Sequence, residues 1–176
     1  IYEGLHSNDV DGFFIEVDGE VLGLSQVEEI IGLFKKFNSK NEKKVILYLK
    51  RNNLAAYTLC SVADKVIIHP ATELSIQGPY FVRLFYKRLL DFIGIDTYFF
   101  KKSEYKTAPE EYTNNEPSKY YLEELNDIKD VLAKWIRTVI VEKRKLIAFD
   151  YLIEEAPYSS IKAKDLNLVD EIDYVD

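Results

Sequence analysis

The chain has 176 residues, one domain's worth, and at 47% hydrophobic with ten Phe and thirteen Tyr it holds ample material for a packed core, which argues against intrinsic disorder. A formal net charge of -7 disfavours nucleic acid as a main partner, because binding phosphate needs clustered positive charge. The single cysteine, Cys60, excludes an internal disulfide framework, and no apolar run reaches the ~18–20 residues of a membrane span.

In chain order, the first strong strand signal is FFIEV, Phe13 to Val17, entered through Gly12 and followed by a loop with Gly19 and Gly23. Ser25-Gln26-Val27-Glu28 has capping-box spacing, and Val27, Ile30, Ile31 and Phe34 form one apolar stripe at helical spacing. A lysine- and asparagine-rich turn, FNSKNEKK, leads to VILYL (Val45 to Leu49), a continuous apolar run that predicts a buried strand. LAAYTLCSVA predicts a short helix in which Cys60 is a buried small hydrophobe, and KVIIH a third strand ended by Pro70.

Gln77-Gly78-Pro79 then opens an expected helix whose apolar side is Phe81, Leu84, Phe85, Leu89 and Phe92, with Gly94 as its C-terminal cap. Thr97 to Phe100 predicts another strand, and the loop KKSEYKTAPEEY follows directly. Ser118 caps the longest predicted helix, which runs to about Lys145 with Leu122, Leu125, Ile128, Leu132, Trp135, Ile136 and Val139 repeating at three and four residues. The tail SSIKAKDLNLVDEI reads as a short helix, a turn at Asn167 and a brief extended piece. Alternating strands and helices predict a layered α/β fold with mainly parallel strands, spanning residues 1–176 as one domain.

Several common sites are absent from the sequence. His6 and His69 have no metal-ligand spacing, and His69 before Pro70 reads as structural. No GxGxxG, GxxxxGK[ST] or GxSxG pattern occurs, so dinucleotide, P-loop and nucleophile-elbow chemistry lack their signatures and no cofactor is implied. Glu110-Glu111 and Glu123-Glu124 are adjacent pairs, which on a helix do not face each other, so a solvated face is expected for them. Lys106 stands apart among eighteen lysines, set between Tyr105 and Thr107-Ala108-Pro109, a context that predicts a semi-buried loop. A lysine acts as a base only in its neutral form, which from a reference value of ~10.4 costs about 4 kcal/mol near neutral pH; apolar burial supplies such an effect.

EYKTAPEEYTNNEPS resembles the lysine-bearing segment of bacterial protease IV-type signal peptide peptidases (signal peptide peptidase A), roughly Gly-Xaa-Tyr-Lys-Ser/Asp-Ala followed by a polar stretch and a long helix. SVADKVIIHP, YKRLLDFIGIDTYFF and AKDLNLVDEI resemble further segments of that family in the same order, so the resemblance covers about Gly12 to Val175. It implies a crotonase/Clp-like α/β fold and a serine–lysine dyad in which Lys106 is the general base. The family's serine position, counted back from Lys65, falls on Leu54, which has no nucleophilic atom, and Ala55 and Ala56 replace two glycines. Gly23 aligns with a glycine of the family's oxyanion-hole loop.

Longer family members are tandem duplications whose first half keeps the lysine and lacks the serine, and this chain matches that N-terminal half. The lack of any methionine agrees with a processed or excised piece. The resemblance further implies a serine-bearing C-terminal domain as partner, ring-like homo-oligomers, a membrane tether in a segment outside this chain, and action on signal peptides or other apolar segments at the extracytoplasmic face of the bacterial cytoplasmic membrane. Two other readings stand beside the peptidase: a catalytically degenerate assembly or binding module of the same fold, and an acyl-CoA enzyme for which Glu20 lies in the right loop region.

Overall fold

The computed structural model describes residues 1–18, 22–38, 43–146 and 149–175. It divides into two compact units, residues 1–78 with 135–176, and residues 79–134. Glu20, Gly19 and residues 39–42 of the lysine-rich turn lie outside the described residues.

The first unit holds a four-stranded parallel sheet in the order β1-β2-β3-β4. Its strands are β1 (Gly12–Asp18), β2 (Lys44–Arg51), β3 (Lys65–Ile68) and β4 (Glu171–Ile172). The α-helices among the described residues are α1 (Tyr2–His6), α2 (Leu24–Phe37), α3 (Leu54–Thr58), α4 (Lys87–Phe92), α5 (Glu110–Thr113), α6 (Lys119–Arg144), α7 (Phe149–Glu154) and α8 (Ser160–Asp165). Val45, Leu47, Tyr48 and Leu49 are all buried, as a continuous apolar run in a parallel strand requires. β1 instead alternates: Phe13, Ile15 and Val17 face the core while Phe14 and Glu16 are exposed. Gly12 enters β1 where a Cβ would lie 2.7 Å from the Lys44 carbonyl oxygen, so only glycine fits that pairing.

Val27, Ile31 and Phe34 of α2 are buried, as their helical spacing predicts, but the cap lies two residues earlier than the sequence predicts. Gly23 is the N-cap, and its N–H donates to Gln26 Oε1 at 2.9 Å, so Gln26 takes the reciprocal role expected of Glu28. Ile136, Val139 and Ile140 at the C-terminal end of α6, Phe149 and Leu152 of α7, and Ala163 of α8 complete the core. Asn167 has a positive φ of 56°, where the sequence places its turn.

The second unit departs from the sequence reading. The helix expected from Pro79 shrinks to α4, because the preceding stretch is dense in aromatic residues with little helix preference. Tyr86 N–H donates to the Glu111 carbonyl at 2.6 Å instead of closing a helical turn. Gly94 does cap α4, with φ +76°. Thr97 to Phe100 forms no strand: it has no ladder to join within this unit, and apolar content alone does not make a strand without a neighbour. Among residues 79–134 only Thr107, Glu110 and Tyr121 are buried, while Phe92, Tyr98 and Phe100 are 88%, 82% and 90% exposed. α6 accordingly changes character along its length, with Leu122 and Ile128 exposed in the second unit and Ile136 and Val139 buried in the first.

Candidate active site

Lys106 lies on the loop that precedes α5. Its N–H donates to the Ser103 carbonyl at 3.1 Å, and Glu110 N–H donates to the Thr107 carbonyl at 2.9 Å, so a tight turn brackets it on each side. Both neighbours are tied to α6. The Tyr105 hydroxyl donates to Glu123 Oε2 at 2.9 Å and its ring packs edge-on against Tyr120 at 5.1 Å. The Thr107 hydroxyl donates to Glu124 Oε2, and Thr107 is buried.

Lys106 itself is exposed, which corrects the semi-buried loop that its flanking residues predict. The reason is that the apolar groups of this unit do not stack over the loop: Tyr105 is exposed and Thr107 turns inward toward α6. Among the described residues no carboxylate pairs with the Lys106 ammonium, whereas Lys101 lies 3.6 Å from Glu104 and 3.9 Å from Glu110.

The adjacent glutamates are not a plain solvated face. Glu110 is 3% exposed and accepts both the N–H of Ser118, at 3.0 Å, and its hydroxyl, at 2.8 Å. Ser118 Oγ in turn accepts the Tyr121 N–H at 3.2 Å, the cap that the sequence places at the head of α6. Glu111 accepts the Tyr121 hydroxyl at 3.1 Å and pairs with Arg83 at 3.6 Å. Adjacent side chains on a helix point about 100° apart, so each member of a pair finds its own donor. Burial, and then the bond to Glu111, push the Tyr121 phenol above its ordinary value; at Tyr105 the bond to Glu123 does so. Beside the lysine loop runs a groove of about 760 Å³, whose lining includes Arg83, Thr107, Ala108, Glu111, Glu124 and Asp127.

The position where the serine is expected sits at the end of β2, where open α/β sheets place their chemistry. Leu54 opens α3 there, with Asn53 as N-cap accepting the Ala56 N–H at 2.8 Å. Leu54 packs on the core, Ala55 and Ala56 are buried, and the Thr58 hydroxyl is spent on the Leu54 carbonyl at 2.7 Å. The helix therefore begins without an accessible hydroxyl. The Gly23 N–H that the resemblance assigns to an oxyanion loop is taken by Gln26.

Elsewhere, His69 Nδ1 accepts the Ala71 N–H at 3.1 Å and its ring meets Tyr174 edge-on, in keeping with a structural role. Burial pushes the Cys60 thiol up to about 12. Among the described residues, no helix is long and apolar enough to cross a membrane.

Sequence reading singled out Lys106 but missed Glu110, Glu123, Glu124 and Ser118 as its anchors. Only their spacing from the lysine loop hinted at this, and spacing does not reveal which hydroxyl meets which carboxylate.

Residues 37–176 match the family model described as Peptidase family S49, well over half of the chain. The parallel sheet with its long helix is consistent with the Clp/crotonase-like fold of that family. No curated protein matches the chain.

Proposed function

Because this chain belongs to peptidase family S49, the protease IV and signal peptide peptidase A family, we propose that it supplies Lys106 as the general base of a serine–lysine dyad whose serine comes from another domain or subunit. The observation that carries this reading is that both neighbours of Lys106 are anchored to α6 within the segment the family model matches; the amine is exposed in this chain, so the neutral form the role needs has to come from the companion region. The hydrocarbon at Leu54 and the engaged N–H of Gly23 support the same division of labour.

In the proposed reaction the neutral amine takes the proton of the incoming serine hydroxyl as its oxygen attacks the scissile carbonyl. The resulting ammonium returns that proton to the leaving amine. Water then releases the acyl group, with the same amine again taking the proton. Docking of the companion region would shelter Lys106 from water and favour its neutral form. The substrates of this reading are signal peptides and other apolar segments, met at the outer face of the bacterial cytoplasmic membrane through a tether outside these residues.

The test is hydrolysis of an internally quenched apolar peptide by this chain alone, by a serine-bearing S49 region alone, and by the two together. The reading expects activity only in the mixture, and its loss by ~10²–10⁴ with Lys106→Ala. Activity of the mixture undiminished by that substitution would refute it.

One observation favours the second reading, an assembly module. Tyr80, Val82, Phe92, Tyr98 and Phe100 in residues 79–100 are all open, and apolar side chains exposed in such number are suited to burial against another copy or domain. The two readings part on Lys106→Ala, which a pure module tolerates. The acyl-CoA reading rests on Glu20, outside the described residues, and gains no support.

A further inference from the structure

We infer that Glu123 and Glu124 are positioning residues for Lys106, acting through Tyr105 and Thr107; this rests on the proposed role of Lys106 as general base. Lysine carries four rotatable side-chain bonds, so its reach is defined only if the backbone beneath it is fixed. A single anchor would leave the loop free to swing about it. Here the residues on both sides of Lys106 are attached to α6, and their acceptors are consecutive residues, whose side chains diverge by about 100°. Two splayed attachments resist the rotation that either alone permits. The Ser103 carbonyl, accepting the Lys106 N–H at 3.1 Å, closes the turn from behind.

The arrangement has an electrostatic side. Two carboxylates on the helix beneath the loop are natural counterions for a nearby amine, and a paired amine is held in its charged, non-basic form. Glu124 is engaged by the Thr107 hydroxyl, and Glu123 by the Tyr105 hydroxyl together with the Lys119 ammonium at 3.6 Å. The bond to Glu123 holds the Tyr105 phenol above its ordinary value. The two anchors are unequal. Tyr105 is 52% exposed and competes with water for its bond, whereas Thr107 is buried, so Thr107–Glu124 carries more of the effect.

The test uses the chain together with the serine-bearing region, with the quenched apolar peptide as probe. Thr107→Val, which keeps the shape and removes the hydroxyl, should lower kcat about 10–100-fold with KM little changed. It should also move the acidic limb of the kcat/KM–pH profile to higher pH, because the released Glu124 becomes available to the amine. Thr107→Ser, which keeps the donor, should restore kcat to within about threefold of wild type, and Tyr105→Phe should cost less than Thr107→Val. Exchange of the Lys106 amide hydrogen, read independently of turnover, should quicken in Thr107→Val and in Glu124→Gln while the amides of β2 stay protected. Wild-type kcat and an unmoved pH profile in Thr107→Val, alongside loss of activity in Lys106→Ala, would overturn the positioning role and leave the dyad standing. Full activity in Lys106→Ala would overturn both.

Discussion

Glu110 and Ser118 hold each other through two hydrogen bonds: one carboxylate oxygen takes the serine N–H at 3.0 Å and the other its hydroxyl at 2.8 Å. This joins the turn after the lysine loop to the head of α6, in a unit with few other buried groups. Ser118→Ala removes both the α6 cap and one of the two donors to a buried carboxylate. It should cost about 1–3 kcal/mol, lowering Tm by about 2–4 °C per kcal/mol in thermal denaturation. A Tm equal to wild type would show that the pair contributes nothing net.

The Asp170 carboxylate links the end of the chain to the sheet. Burial pushes its carboxyl up, but the bond from Arg144 at 2.9 Å and the Val66 N–H at 2.7 Å outweigh it, and the net direction is downward. A carboxyl held below its unfolded value stabilises the fold at pH above about 4, and that contribution fades as pH falls through the folded value. Asp170→Asn should therefore be less stable than wild type at pH 7, with the gap narrowing below about pH 4 in urea titrations. A gap independent of pH would assign the effect to packing instead of charge.

Cys60 is fully buried, and burial lifts its thiol to about 12, so it has neither access nor thiolate character. A maleimide or aromatic disulfide reagent at pH 8 should leave the native chain unlabelled over the time in which the urea-unfolded chain reacts fully. Prompt labelling of the native chain would mean that α3 and the turn after it open readily.

Gly12 tests the sheet. Gly12→Ala sets a Cβ 2.7 Å from the Lys44 carbonyl, against backbone that has little room to move. The expected loss is about 1–3 kcal/mol, read as a lower urea midpoint at unchanged m-value. An unchanged midpoint would show that β1 and β2 part at that end at no cost.

Much of the first unit was legible because its signals are local and redundant. Val45 to Leu49 is a continuous apolar run, Val27 to Phe34 is a single stripe, and Asn167 is a turn residue, and each formed the element it implies. The cap of α2 was misplaced by two residues because Ser25-Gln26-Val27-Glu28 and Gly23-Leu24-Ser25-Gln26 offer overlapping capping patterns, and the polar reach of Gln26 settled the choice. Thr97 to Phe100 and the stretch after Pro79 failed for a different reason. Their largely aromatic side chains express a preference for burial that residues 79–134 satisfy only in ring pairs such as Phe85–Tyr121 and Phe99–Tyr112. At the candidate site, Lys106 stood out from its neighbours, but its exposure did not. Tyr, Thr, Ala and Pro beside a lysine describe a compact turn, and a compact turn lies inside or outside according to what covers it. The anchoring of Tyr105 and Thr107 on consecutive glutamates was hidden because it depends on how the loop meets α6.

The most direct measurement is chemical rescue at position 106. With the serine-bearing region present, Lys106→Ala should lose ~10²–10⁴ of peptide turnover and regain a measurable part in the presence of small primary amines, more with amines that fit the vacated space. Lys106→Ala turning over the peptide at the wild-type rate, with no response to added amine, would contradict the assignment of Lys106 as the base.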